Sequence, residues 1–157
     1  MKTAVPVMDA VAAALTAHMP AQTEAFRVLH PTEPLPDIAQ VYQEEYDYDQ
    51  LFNLPALILF EDDPVIEEET GGSLFFQLPI DIVAYDVVNA DGLEALHRRL
   101  KFYRGLVCET FLTYHTSDPS WYGVSIGGYG ATGMVKSQQG LARALGVRLV
   151  FRIEEQY

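Results

Sequence analysis

The sequence has a single cysteine, Cys108, which excludes a disulfide bond within the chain and a zinc site built from several cysteines. Its four histidines, His18, His30, His97 and His115, share no metal-ligand spacing with one another or with that cysteine. There is also no G-x-S-x-G and no H-E-x-x-H. The chain therefore lacks these signatures of a hydrolase or a metal centre, and no catalytic residue, cofactor or metal site is predicted. Cys108 lies in a helical pattern and is expected to be a small buried residue.

Long hydrophobic runs are missing as well. The best candidate, Leu54 to Phe60, has the length of a strand and is followed directly by three acidic residues. A bilayer crossing needs about 20 apolar residues, so no membrane span is predicted. The apolar stretch near the N-terminus is interrupted by Asp9 and His18, which is atypical of a secretory signal. We expect the protein to be made in a reducing cytoplasm and to stay there unless a particle carries it out.

Positive charge is scarce. Lys and Arg number 10 against 22 Asp and Glu, which gives a formal net charge of −12. Such a surface repels phosphate backbones, so a protein that grips nucleic acid is not expected. A surface that must stand near DNA without binding it would have this balance. With 157 residues and 49% apolar content, the chain is predicted to be a single globular domain, 1–157.

Two helices are predicted from apolar residues that recur at three- and four-residue steps. The first begins at Pro6 and ends at Pro20, and a short strand over 25–30 and a proline-rich loop follow it. The second, Asp91 to Tyr114, is the clearest pattern in the chain. Asp91 and Glu94 predict a capping box at its start.

The remaining patterns favour strands. The stretch 38–53 is expected to be extended and partly stranded. The stretch 54–61 is expected to be a buried strand, either covered on both faces or central in a sheet, that forms a hairpin with a strand over 74–88. Between them, 62–73 is predicted to be a long acidic turn, and Pro79 predicts an edge position or a bulge. A strand over 122–126, a glycine-rich turn over 127–133 and a last strand over 147–154 follow. This order predicts an α+β fold, a mixed and mainly antiparallel sheet with both helices packed on one face.

One motif has a possible chemical function. Gly128-Tyr129-Gly130-Ala131-Thr132-Gly133 satisfies G-x-G-x-x-G, follows a predicted strand and precedes an Ala- and Leu-bearing stretch, 140–145. In a dinucleotide-binding unit such glycines let the backbone approach a pyrophosphate at a helix N-terminus. However, the residues after Gly133 are polar rather than amphipathic, and a second nucleotide-binding half has no room. A glycine-rich hairpin turn is the alternative interpretation.

A cluster of carboxylates and a set of aromatics complete the candidates. Six acidic residues could ligate a hard cation such as calcium, but their spacing lacks the alternating ligands of a loop built for that purpose, so a solvated acidic loop is favoured. They are Glu61, Asp62, Asp63, Glu67, Glu68 and Glu69. Six aromatics in segments expected to be half buried could anchor a protein interface or fill the core. They are Tyr42, Tyr46, Tyr48, Trp121, Tyr122 and Tyr157.

The order of elements resembles the tail terminator (tail completion) proteins of long-tailed bacteriophages. The resemblance rests on the N-terminal helix and proline-rich loop, "LPALILFEDD", the acidic turn, "FFQLPIDIVAYD", the capped helix ending near "YRGLVCETFL", and "RALGVRLVFRIEE". It implies a structural virion protein that forms a ring, expected to be a homohexamer. Such a ring caps the tail tube, ends its polymerisation and joins the tail to the head-side connector in the neck.

The resemblance also implies partners and places. The partners are other copies of the chain, the tail tube protein and a head-completion or connector protein, with DNA passing through the lumen unbound. The location is the virion, and the host cytoplasm during assembly. The six carboxylates, or the stretch 44–49, are expected to line the lumen. The candidate subunit interface is the basic strip of the long helix with two aromatics: Arg98, Arg99, Lys101, Arg104, Trp121 and Tyr122.

Two alternatives remain open. Other head–tail joining or tail tube proteins are also small, acidic and rich in sheet. The alternative from a different class is a nucleotide- or small-molecule-binding enzyme domain that uses the loop from Gly128 to Gly133.

Overall fold

The computed structural model describes residues 4–43, 53–132, 134–137 and 139–156. Two helices are interleaved with strands, and the second helix continues into a π-helical turn at Thr110–Tyr114. In chain order the elements are α1 Ala4–Leu29, β1 Gln40–Gln43, β2 Ala56–Glu61, β3 Val65–Thr70, β4 Ser73–Val87, α2 Gly92–Glu109, β5 Gly123–Ala131, β6 Val135–Ser137 and β7 Gly140–Gln156.

In the described residues the strands form one seven-stranded sheet whose main order is β1-β2-β4-β7-β5. β3 pairs with β4, and β6 pairs with β7. The β1–β2 pair is parallel, and the other pairs are antiparallel. The predicted α+β fold, with its mixed and mainly antiparallel sheet, is confirmed.

The core lies between the two helices and one face of the sheet. Because side chains alternate along a strand, every second residue of β4 and β7 points to the helices. Leu78, Ile80 and Ile82 of β4 and Val147 and Leu149 of β7 are buried there, with the apolar stripes of α1 and α2. A smaller cluster, which includes Ile58, Tyr85 and Ala144, lies on the opposite face. We call this opposite side the open face.

The first helix is longer than predicted. It runs through Pro20 to Leu29, so the predicted stop at Pro20 and the short strand over 25–30 are both wrong. The buried face that includes Met19 continues with Thr23, whose hydroxyl donates to the Met19 carbonyl at 2.7 Å. One turn on, Phe26 packs against Phe102 of α2, with ring centroids 4.7 Å apart. These contacts stabilise the helix against an interior proline, which costs about 3 kcal/mol.

The predicted acidic turn over 62–73 is also corrected, because most of it is strand β3. It forms a tight hairpin with β4 through Gly71 and Gly72, whose φ angles are 54° and 87°. Two consecutive positive φ angles produce the type of turn that matches the twist of a hairpin, and glycine adopts them without strain. The predicted strands over 54–61 and 74–88 are confirmed by β2 and β4, which pair antiparallel, and Ala56 to Leu59 are fully buried. The predicted hairpin between these two strands is wrong, because β3 lies between them in the chain and forms the hairpin with β4.

The sequence predicted an edge position or a bulge at Pro79, and the structure shows neither. Pro79 sits in the central strand β4, opposite Val150 of β7. The Pro79 carbonyl accepts a hydrogen bond from the Asp62 amide, on the side where β2 ends and β3 has not begun. A strand residue's N–H and C=O point to the same side, so the missing N–H of Pro79 faces this gap and breaks no ladder bond.

The long second helix is confirmed, but its predicted capping box is not. The side chain of Asp91 makes no capping hydrogen bond and accepts one from Arg99 instead. Near the C-terminal end of the chain the strands are longer than predicted: β5 extends to Ala131, and β7 begins at Gly140. The extended stretch 38–53 is confirmed at β1, while 44–52, with Tyr46 and Tyr48, lies outside the described residues, as does Tyr157.

Candidate functional site

Two arginines of β7 form ion pairs with carboxylates on the open face of the sheet. Arg148 donates through Nε and Nη2 to the two carboxylate oxygens of Asp81, each at 2.9 Å. The same guanidinium lies 3.0 Å from Asp62. This arrangement raises the pKa of Arg148, chiefly through the hydrogen bond to Asp81. Arg152, four residues on and on the same face, lies 3.8 Å from Glu67.

The sequence reasoning missed both arginines. Arg148, Val150 and Arg152 alternate with buried apolar residues over a strand-length stretch, which places them on one face of β7. This two-residue alternation would have predicted that Arg148 and Arg152 lie on one face of the strand, beside the acidic segment. The Arg148–Asp62 ion pair links β7 to the β2–β3 connection, and the Arg152–Glu67 ion pair links β7 to β3.

The six carboxylates predicted to line a lumen are all exposed. β2 ends at Glu61, Asp62 and Asp63 lie in the connection, and Glu67 to Glu69 belong to β3. The fold therefore brings them to one edge of the sheet, which we call the acidic edge. Asp62 and Glu67 are ion-paired with β7, as above. The other suggested lining, 44–49, lies outside the described residues.

The candidate subunit interface is only partly at the surface. Arg99 and Trp121 were predicted to be part of it, but both are buried. Arg99 is buried, with Asp86 at 3.3 Å and Asp91 at 2.7 Å. Trp121 is 3% exposed, and its ring packs edge-on against Phe151 with centroids 5.0 Å apart. Arg99 is buried because α2 directs it toward the end of β4. There its guanidinium neutralises the charge of the buried Asp86 carboxylate. Neither side chain is available to a neighbouring subunit.

The other four members of that set lie at the surface but not together. Arg98 pairs with Glu33, and Lys101 is exposed. Arg104 lies over the ring of Tyr129, 4.8 Å from its centroid. Tyr122 is half exposed and sits beside the acidic edge, where burial and Glu67 raise its pKa. The predicted interface therefore separates into a basic helix surface and an aromatic at the other end of the sheet.

The Asp86 carboxylate is buried at the end of β4. Its removal from water raises its pKa, while the backbone amide of Val87 and the Arg99 guanidinium oppose that rise. An acid buried against an arginine could serve as a proton donor, but the two side chains are each only 5% exposed. They have no access to a substrate, so the pair is structural.

The glycine motif does not form a phosphate cradle. Gly128 and Gly130 lie within β5, Gly133 lies outside the described residues, and the stretch 140–145 belongs to strand β7 rather than to a helix. The helix that a phosphate cradle would need after these glycines is not found among the described residues. Over 127–131 the predicted turn is corrected to a strand with a bulge near Gly128. The close approach occurs at Gly127, where an added Cβ would lie 2.9 Å from Val150.

These glycines do border a groove of about 490 Å³ on the sheet. Its walls are Phe60 and Val83 on one side and the strand from Gly127 to Thr132 on the other, with the Asp81–Arg148 pair beside them. Grooves of 300–1,000 Å³ accommodate small molecules. The charged side chains of its lining are Asp81 and Arg148, which pair with each other, and Thr132 adds a hydroxyl that accepts a hydrogen bond from the Ala144 amide.

Within the described residues, no three His, Cys, Asp or Glu side chains are grouped so that they could hold a metal ion. Burial raises the pKa of the Cys108 thiol, which is the opposite of nucleophilic activation. No helix in the described part of the chain is long and apolar enough to cross a membrane.

The chain matches no protein-family model, and no curated protein matches it significantly. Its function therefore has to be inferred from the residues and the fold.

Proposed function

We propose that this protein is a structural subunit of the neck of a long-tailed phage or phage-like particle. Copies of the chain form a ring, expected to be a hexamer, that caps the tail tube and ends its polymerisation. The ring joins the tail to the head-side connector. The sequence resemblance suggests this role, and the confirmed α+β order of elements is compatible with it.

The observation that carries the proposal is the acidic edge. Six exposed carboxylates lie together along one edge of the sheet in a chain of net charge −12. A channel for DNA needs a wall that repels phosphate, because contacts from Lys and Arg would hold the passing duplex. The proposal places the acidic edge on the inner wall of the ring.

The test is the solution mass of the purified protein by light scattering, together with negative-stain images. A ring of roughly six copies with a central hole is expected, since closed cyclic assembly is the usual result of a repeated head-to-tail contact. A ring whose inner wall is lined by basic side chains would contradict the proposal. So would a compact particle without a hole.

The groove beside β5 favours a second candidate, a small-molecule-binding domain. Its volume suits a nucleotide-sized ligand, although none of its lining residues belongs to a helix. A Cβ at Gly130 would meet nothing within 4 Å, so Gly130→Leu should fold normally and fill the groove. Saturation-transfer NMR with nucleotides should then show binding to the wild type and none to the variant. No signal with the wild type would eliminate this candidate.

A further inference from the structure

In the described part of this acidic protein, four cations have no acidic partner. Among the described residues, five arginines lie within 4.0 Å of a carboxylate. The exceptions are Lys101, Arg104, Lys136 and Arg143, although the chain has more than twice as many acids as bases. Unpaired cations on such a chain suit a negative partner.

Two of the four share a helix face with one histidine, because Lys101 and Arg104 follow His97 at four- and three-residue steps on α2. Burial lowers the pKa of His97, and the positive charges of Arg143, Lys101 and Arg104 lower it further. Nδ1 of His97 and Nε of Arg143 are buried, and no hydrogen-bond partner for either lies in the described part of the chain. Three positive charges therefore disfavour the charged form of the His97 ring, and none of them has an ion-pair partner in the described part of the chain.

Apolar surface flanks these cations. Tyr129, over which Arg104 lies, is 62% exposed, and Leu141 is 44% exposed. Leu141 and Arg143 are two residues apart on β7 and so share a face, and Lys136 lies directly across from Leu141 on β6. We define the basic patch as His97, Lys101, Arg104, Arg143, Tyr129 and Leu141. It combines uncompensated charge with apolar contact area, as interfaces do.

The chain carries a surface of the complementary kind. In β3, Val65 and Ile66 are 59% and 66% exposed, and the three glutamates Glu67 to Glu69 follow them. β3 pairs with β4 along one edge, and no other strand among the described residues pairs with it. We define the acidic hairpin as Val65–Thr70 with its turn to β4. It has exposed aliphatic side chains, negative charge and an open strand edge.

The two surfaces cannot meet within one molecule. Glu68 lies across from Phe75, which pairs with Glu154 near the end of β7, whereas Arg143 lies near the start of that strand. Eleven residues of extended chain span about 35 Å at roughly 3.3 Å per residue. The hairpin also lies on the far side of β4 from β7. The natural partner of each surface is therefore on a second molecule.

We propose that the basic patch of one copy binds the acidic hairpin of the next copy. This inference rests on the proposed ring and names its contact. Of the acidic edge, Glu67 to Glu69 then face the neighbouring copy, and Glu61, Asp62 and Asp63 remain on the inner wall. Two different surfaces in one chain give a head-to-tail contact, which closes into a ring when the rotation per subunit allows it. Charge complementarity fixes the partner and the register, and the exposed aliphatic and aromatic side chains supply the buried area.

The test reverses each surface separately. The first variant, Lys101→Glu with Arg104→Glu, makes the patch acidic. The second, Glu68→Lys with Glu69→Lys, makes the hairpin basic. Like charges then face each other in either variant alone, so each should self-associate on the order of 100-fold more weakly than the wild type. Asp9→Lys, on the exposed side of α1, is the control and should associate normally.

Mixing gives the decisive result. In an equimolar mixture every contact between the two variants is again between opposite charges, so assembly should return with alternating subunits. A chain with all four substitutions should assemble alone. Circular dichroism confirms that each variant is folded. Measurements by light scattering at low ionic strength suit this test, because salt screens such contacts.

The outcomes separate this inference from the proposed function. Rings that form equally well from both single-surface variants would overturn the inference and leave the ring intact. Charge-dependent filaments or dimers without a central hole would support the contact and contradict the proposed neck ring. A strictly monomeric wild type at low salt, or a patch that binds duplex DNA instead of the hairpin, would overturn the inference.

Discussion

The ion pair between Asp86 and Arg99 joins the end of β4 to α2. Both side chains are 5% exposed, and Arg99 also contacts Asp91 and the Val87 carbonyl. Burial raises the pKa of Asp86 above its ordinary 3.8. A raised folded pKa stabilises the fold below the unfolded pKa, and this contribution is lost as the pH rises through the folded value. The Arg99 charge limits that loss.

Replacing Arg99 by leucine should therefore destabilise the protein most at neutral pH. An uncompensated buried carboxylate costs about 3–5 kcal/mol of unfolding free energy. Because protonation removes the buried charge, this deficit should shrink between about pH 7 and pH 4 as Asp86 takes up a proton. Urea unfolding at several pH values measures it.

The double variant Asp86→Asn/Arg99→Leu is the control for that residue pair. It removes both charges, so its stability should vary less with pH than that of Arg99→Leu. An equal deficit at every pH for Arg99→Leu would mean that lost packing, rather than the unpaired charge, is the cause.

At the scale of elements, α1 contains a helix-breaking residue in its interior. Pro20 is exposed and lies between the buried residues Met19 and Thr23. Replacing it by alanine restores one backbone N–H donor and removes the ring clash with the preceding turn. Pro20→Ala should raise the unfolding free energy, by up to about 3 kcal/mol. Thermal and urea unfolding measure the gain.

A matched control lies one turn earlier in the same helix. Ala17 is also exposed, so Ala17→Pro should cost roughly the amount that Pro20→Ala gains. If Pro20→Ala left the stability unchanged, the proline would be relaxed by a local kink, and the native helix would not be strained there.

The same elements mark what a sequence can predict and what it cannot. Strong periodicity predicted α2, β2 and β4, since a long apolar pattern leaves few other structures. The continuation of α1 past Pro20 depends on Phe26 meeting Phe102, a contact distant in sequence. Likewise, β3 has an acidic sequence typical of a turn. It is a strand because β4 offers it a free edge, and Gly71 and Gly72 close the hairpin.

The site was predicted less completely than the fold. The acidic composition of the segment was enough to predict that its six carboxylates are exposed, and the structure brings them to one edge of the sheet. Arg99 and Trp121 were predicted to lie at the surface. The sequence near each residue does not indicate which distant segments pack over it, so their burial could not be predicted. Arg143 was missed altogether, because its charge acts on His97 only through the packing of α2 against β7, which joins residues distant in sequence.

At the scale of the whole molecule, the position of the negative charge matters more than its sum. Glu61→Lys with Asp63→Lys changes the acidic edge, and Asp9→Lys with Glu109→Lys changes the helices. Each reversal adds two charges, so both variants move from −12 to −8.

If the acidic edge lines a DNA channel, assembled rings of the first variant should retard duplex DNA in a gel at about 0.1 M salt. The wild type and the second variant should not, since their inner walls stay negative. Equal retardation by both variants would show that net charge alone keeps DNA away, and that the acidic edge is not the inner wall.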